Sequence, residues 1–268
     1  MLEKYKRHQF LFEELVKRVD ECGRKMKNNV INLSFGENCF AERMLERHEK
    51  RSFATPFSWG RSNIEYVLNI ERDQYKDFLN PEKMYYDNGA KLHLNAYNEI
   101  KNKYELSCMS EFEFTHHDVL KNESHIEAFN RRVQRLMELK NSKINIFYHH
   151  RFCNQTDRVK LLEDLFELKK IYTQKANIVN IIMFTQVLVK YESERKVERH
   201  HINGIDIFVF YTLNVWGGDN QNIFWGICDD DLIAEMLLAI KGGLKKDPLS
   251  HLKFILGYKL CKKKFNVF

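Results

Sequence analysis

The feature that most constrains the fold is an alternation of strand-like and helix-like segments through the second half of the chain. Ile144-Asn145-Ile146-Phe147-Tyr148 is a short β-branched and aromatic run, read as a strand ending in His149-His150. Asp157 to Lys175 follows, with Val159, Leu161, Leu162, Leu165, Phe166, Leu168 and Ile171 supplying the apolar side of a helix. Ile178 to Phe184 and Ile205 to Tyr211 are strand-like again. Asp229 to about Ile240 reads as a helix, with Asp229, Asp230 and Asp231 at the start, where the positive end of the helix favours them. Strands alternating with helices at this spacing imply a parallel sheet covered on both faces. The expected fold is therefore a three-layer α/β domain, with a mostly parallel sheet and helices on both faces. One domain over residues 1–268 is the simplest account.

Upstream, residues 1–28 show a helical pattern built on Phe10, Phe12, Leu15, Val16 and Val19. Val30 to Phe35 reads as a strand, Gly36-Glu37-Asn38 as a turn, and Cys39 to about His48 as a helix. Residues 51–125 read as an irregular, aromatic-rich insertion, with short strands at Lys91–Leu94 and Glu111–Thr115. Residues 125–140 read as a helix with Ile126, Phe129, Val133, Leu136 and Met137 buried.

Composition narrows the class. Apolar residues make up 44% and charged residues 30%, a globular balance, and only 11 glycines and 3 prolines exclude collagen-like and low-complexity classes. The net charge of +6 is mild and mixed, and no zinc-finger or RNA-binding signature accompanies it, so no nucleic-acid partner is expected. The charged N-terminus lacks an apolar core and is no secretory signal. The most apolar stretch, Ile178 to Val189, is too short to span a bilayer, and a cytoplasmic location is expected. Cys22, Cys39, Cys108, Cys153, Cys228 and Cys261 are scattered without a CxxC pair, which argues against a disulfide framework or a ribbon-type zinc site.

In open α/β sheets, ligands bind at the carboxyl ends of the strands. The residues to weigh there are Gly36-Glu37-Asn38-Cys39, His149-His150-Arg151, Thr185-Gln186 and Asn214 to Gly218. Cys39 falls in the first turn of its helix, where unpaired N–H groups and the positive dipole end stabilise a thiolate and could hold an oxyanion. Gly36 permits the tight turn, and Asn38 could cap the helix or donate to the oxyanion. A nucleophilic cysteine needs a base. His116-His117-Asp118 follows the Glu111–Thr115 strand, and strand alternation lets only one histidine of the pair meet Cys39. Asp118 could orient it. His149 and His150 are the rival base.

These residues resemble a bacterial family of unknown function described as papain-like cysteine peptidases. The family pattern runs from a strand into Ser-Leu-Gly-x-x-Cys and a helix, then Pro-Phe-Asp-Trp, an aromatic-x-His-Asp segment, an Arg-Arg-x-x-Arg helix and a strand. Here these are Ser34-Phe35-Gly36-Glu37-Asn38-Cys39, Pro56-Phe57-Ser58-Trp59, Phe114-Thr115-His116-His117-Asp118, Arg131-Arg132-Val133-Gln134-Arg135 and Ile144 to Tyr148. The resemblance covers about residues 30–151 and departs at Ser58, where the family commonly has Asp. It implies Cys39 as nucleophile and His117 as base. The same Gly-x-Asn-Cys turn is similar to acetyltransferase-type proteins of capsular polysaccharide synthesis, in which Cys39 would lie beside an acyl-CoA or acylated sugar.

The remaining constellations carry less. The pairs His116-His117, His149-His150 and His200-His201 lack metal-ligand spacing, and no metal is expected. No GxGxxG or GxxxxGK[ST] occurs, so no dinucleotide or P-loop cofactor is expected. Trp216-Gly217-Gly218 could wall a ligand site, as could Trp59. Arg131 and Arg135 share one face of their helix. The tail from Lys259 to Lys264 is basic and amphipathic and could touch an anionic membrane or a partner. The reading is a Cys39–His117 enzyme of acyl-group chemistry, a hydrolase or an acyltransferase, acting on a small molecule, glycan or peptide conjugate. The alternatives are a transferase using an activated sugar or acyl-CoA with Cys39 structural, and a non-catalytic binding module.

Overall fold

The computed structural model describes residues 30–87, 91–96, 111–140, 142–151, 157–218 and 225–241. The helix expected over 1–28, the basic tail and four of the six cysteines lie outside the described residues. The α/β expectation holds. Five strands form the main sheet in the order β1 (Val30–Gly36), β5 (Lys143–His149), β6 (Ile178–Leu188), β8 (Ile205–Thr212) and β7 (Lys196–Ile202). The first four are parallel, and β7 returns antiparallel to β8 as an edge hairpin.

Strand alternation divides two cores. Leu33, Phe35, Ile144, Ile146, Tyr148, Ile181 and Met183 face α2 (Ile64–Arg72) and α4 (Arg158–Thr173). Phe147, Ile182, Phe184, Phe208 and Phe210 face α1 (Phe40–Arg47) and α5 (Asp230–Lys241). Helices α2 and α4 each start on a side-chain cap. Asn63 Oδ1 accepts from the Tyr66 N–H at 2.8 Å, and Asp157 Oδ1 accepts from Val159 and Lys160.

The region between β1 and β5 corrects the expectation of an irregular insertion. It holds α2 and a three-stranded antiparallel sheet of β2 (Met84–Asp87), β3 (Lys91–Leu94) and β4 (Phe112–Phe114), followed by α3 (Glu123–Met137). The β3 and β4 segments were legible in the sequence. Helix α2 was not, because its nine residues span too few turns to stand out as a helical period among the aromatic segments around them. Phe57, Phe78, Phe112, Phe114 and Phe129 stack between the small sheet, α3 and the main sheet, so the first core runs continuously from one sheet to the other.

Candidate active site

The turn from β1 into α1 is braced on both sides. Gly36 has φ +151°, and a Cβ there would lie 2.8 Å from the His149 carbonyl oxygen, so no larger residue fits. The Glu37 N–H donates to that same oxygen at 3.2 Å. His149 and His150, on successive positions at the end of β5, point to opposite faces. His149 Nδ1 donates to Asn38 Oδ1 at 2.8 Å in the α1 layer. His150 Nδ1 lies 2.7 Å from Glu37 Oε1 on the other side, and Glu37 Oε2 accepts from the Arg151 N–H at 2.8 Å. All three side chains are buried. The two histidines therefore hold the turn and do not serve as an accessible base, which corrects that expectation. Burial, with Arg151 and His150 adding to it, holds the His149 imidazole well below its ordinary range.

Cys39 is the N-terminal cap residue of α1 and is buried. Asn38 Oδ1 also accepts from the Phe40 N–H at 3.0 Å, which removes that donor from an oxyanion role. No acceptor is found among the described residues for the N–H groups of Asn38 and Cys39. The expected low thiol pKa is corrected. Burial pushes the Cys39 thiol up to about 11, with Arg43 pulling against it, then Glu113 raising it and Arg61 lowering it. Burial of the sulfur outweighs the pull of the half-exposed Arg43 guanidinium.

The two histidines after β4 separate. His116 is exposed, with its ring edge-on to Trp59 at 6.0 Å. Burial lowers its pKa, and the charges of Arg43 and Lys91 lower it further. Arg43 and Glu113 thus act on both Cys39 and His116. His117 turns away into α3. Its Nε2 accepts from Arg132 at 3.3 Å, and its ring packs on Phe129 and His125, both at 5.1 Å. Burial, then Arg132 and His125, depresses it to about 4. Asp118 orients neither histidine. Its Oδ1 accepts from the N–H groups of Leu120 and Lys121 and, with Oδ2, from the Tyr86 hydroxyl at 2.8 and 2.9 Å.

Beneath Cys39 lies a buried polar cluster that the sequence reading missed. Glu42, fully buried in α1, accepts from the Ser34 hydroxyl and from Arg51 at 2.9 Å. The Ser34 and Ser58 hydroxyls are 2.7 Å apart, and Ser58 Oγ accepts from the Thr55 N–H at 2.7 Å. Burial raises the Glu42 carboxyl, against the Ser34 and Arg51 contacts. Glu113, also buried, meets Arg61 at 3.4 Å and Lys91 at 3.3 Å.

Trp216 is no ligand wall. It is buried and stacked flat on Phe40 at 4.2 Å, and its Nε1–H donates to Asp229 at 2.8 Å. Trp59 stays half-exposed beneath the Arg43 guanidinium, 4.5 Å from its ring centre. Arg43, missed earlier, carried a signal in its spacing: it follows Cys39 by four residues, one helical turn. Among the described residues, no group of three or more metal-ligating side chains converges, and no helix is long and apolar enough to cross a membrane.

A family model described as "Putative papain-like cysteine peptidase (DUF1796)" matches residues 31–193. No curated protein and no solved structure matches the chain.

Proposed function

The chain belongs to that papain-like cysteine peptidase family, and from this premise we propose that it is a cysteine hydrolase in which Cys39 attacks the carbonyl of a peptide-like or conjugated acyl substrate. The observation that carries the reading is the buried cysteine capping α1, beside Arg43 and within the same charge environment as His116. His116, not His117, is the base in this reading. It is solvent-accessible, and it shares Arg43 and Glu113 with Cys39.

The pKa directions favour a resting pair in which both partners are neutral, with the thiol raised and the imidazole lowered. The sulfur gives up its proton to His116 as the C–S bond forms. The carbonyl oxygen takes the negative charge and meets the N–H groups of Asn38 and Cys39. Collapse of this intermediate expels the leaving amine, which takes the proton from His116 and leaves a thioester on Cys39. Water then attacks the thioester, giving its proton to His116. The acid departs, and the proton returns to the sulfur. An acceptor other than water would make the same intermediate serve acyl transfer, including to or from an acyl-CoA or a glycan conjugate.

The test is intact-protein mass spectrometry after exposure to peptide p-nitrophenyl esters and acyl thioesters. A covalent acyl adduct on Cys39 is expected in the wild type. It should be absent in Cys39→Ala, slowed at least a hundredfold in His116→Ala, and retained in His117→Gln. An adduct that forms equally fast without His116, or turnover that survives Cys39→Ala, would overturn the assignment.

A further inference from the structure

We propose that Trp59 is a positioning residue that seats Arg43 and His116 together on the Cys39 side of the molecule, and that Arg43 is the cation favouring the sulfur anion formed there. The proposal rests on the reading of Cys39 as nucleophile.

The loop that carries Trp59 is pinned to both strands that deliver the reacting groups. On the β1 side, the Thr55 hydroxyl donates to the Ser34 carbonyl at 3.0 Å, and the Thr55 N–H and Ser58 hydroxyl lock the turn, so the loop moves with the strand leading to Cys39. On the β4 side, Gly60 lies against Phe112, where an added Cβ would come within 2.2 Å of the ring. Arg61 exchanges two backbone hydrogen bonds with Glu113 at 3.0 and 2.9 Å. Strand β4 leads directly to His116. Trp59 thus sits where these two constraints meet.

From that position the indole contacts both partners. The Arg43 guanidinium lies 4.5 Å over the ring, an attractive cation–aromatic contact. The His116 ring approaches the same indole at 6.0 Å and 77°. Arg43 and Cys39 share a helical face, since the Arg43 N–H donates to the Cys39 carbonyl at 3.0 Å. Among the described residues, the guanidinium also makes a 3.3 Å bond from Nη1 to Glu46, while its Nε is buried and finds no acceptor there. Trp59 and Glu46 therefore set the position of this cation together, and the Glu46 carboxylate is shared with Arg51. An acid paired squarely with Arg43 would cancel the charge that a developing thiolate needs, whereas an aromatic face does not.

The experiment is the rate of Cys39 alkylation by iodoacetamide against pH, in folded protein, for wild type, Arg43→Gln, Arg43→Lys, Trp59→Ala and Trp59→Phe. Each variant is first checked by thermal melting. The Arg43→Gln and Trp59→Ala midpoints should rise by about one pH unit, so that labelling at a fixed pH below the midpoint slows roughly tenfold. Arg43→Lys and Trp59→Phe, which keep the charge and the ring, should stay close to wild type. A residue that only packs would lower the melting temperature without moving the midpoint. If Arg43→Gln and Trp59→Ala titrate like wild type while the wild type still forms an acyl adduct on Cys39, the proposal is overturned and the nucleophile stands. If the wild type forms no adduct, both fall together.

Discussion

At the scale of single residues, the site is governed by which buried groups carry charge. The Ser58 hydroxyl lies 2.7 Å from Ser34, whose own hydroxyl donates to the buried Glu42. Glu42 therefore already places a carboxylate in this cluster, and Ser58→Asp would set a second beside it. Two close carboxylates cannot both ionise cheaply, so Ser58→Asp should cost roughly 2–4 kcal/mol at pH 7.5. The cost should shrink towards pH 5, because a carboxyl raised in the folded state binds its proton more tightly there. Paired urea titrations at the two pH values check this, and adding Glu42→Gln should restore the loss. An unchanged midpoint at pH 7.5 would show that Glu42 does not occupy this role. The histidines give the opposite slope. His117, depressed to about 4, binds protons more weakly folded than unfolded, so stability is full above about 6.5 and falls as pH drops towards 4. His117→Gln should flatten that slope by roughly 2–3 kcal/mol. Cys39 and the Gly36 turn were legible in the sequence because an apolar run, a glycine and a helix start are local signals. Arg43, Glu42 and the divergence of His116 from His117 were not, because their meaning depends on which element packs across from them.

At the scale of elements, register in the parallel sheet is locked by a row of amides near the amino ends of the strands. Asn145 donates to Asn32 at 3.0 Å, Asn180 donates to Asn145 at 2.9 Å, and Asn32 donates to the Lys50 carbonyl at 2.9 Å. The last bond ties β1 to the segment leaving α1. In the middle of this row Asn145 both donates and accepts, so its loss strands a partner on each side. Asn145→Leu should cost about 2–3 kcal/mol, more than Asn180→Leu at the exposed end, where water replaces the lost bond. Thermal melting of the two variants decides the order, and equal losses would mean that the row adds no cooperative register. In the sequence, these asparagines read only as polar interruptions in apolar runs. The central strands were legible because they are buried on both faces and appear as β-branched runs. Strand β7 was not, because Lys196 to His201 lies on the sheet edge with both faces half-covered, which leaves no alternation to detect.

At the scale of the whole molecule, the family match and the physical unit differ in extent. The match ends at residue 193, yet α1, the helix that begins at Cys39, is braced by residues beyond it. Trp216 stacks on Phe40 at the start of α1. Arg47, at its end, meets Asp230 through Nε at 2.9 Å and donates to the Trp225 carbonyl at 3.1 Å. Arg195 then ties Asp229 into the same group at 3.0 Å, leaving the Trp216 indole no freedom to turn. Strand β6 carries apolar side chains on both faces and pairs along Ile181–Leu188 with β8. A fragment ending at residue 193 would leave that edge unpaired and would strip Phe208, Phe210, Trp216, Ile233 and Met236 from the second core. Folded proteins hold only about 5–15 kcal/mol in reserve, and losing even one large core aromatic costs about 3–5 kcal/mol. The fragment should therefore lack a cooperative thermal transition and bind a hydrophobic dye, while the full chain melts sharply. A milder perturbation separates stability from chemistry. Trp216→Phe keeps a ring on Phe40 but loses the bond to Asp229, so it should lower the melting temperature while leaving the pH midpoint of Cys39 alkylation where it was. A midpoint that moves with Trp216 would mean that the second core sets the position of the thiol as well as the stability of its helix.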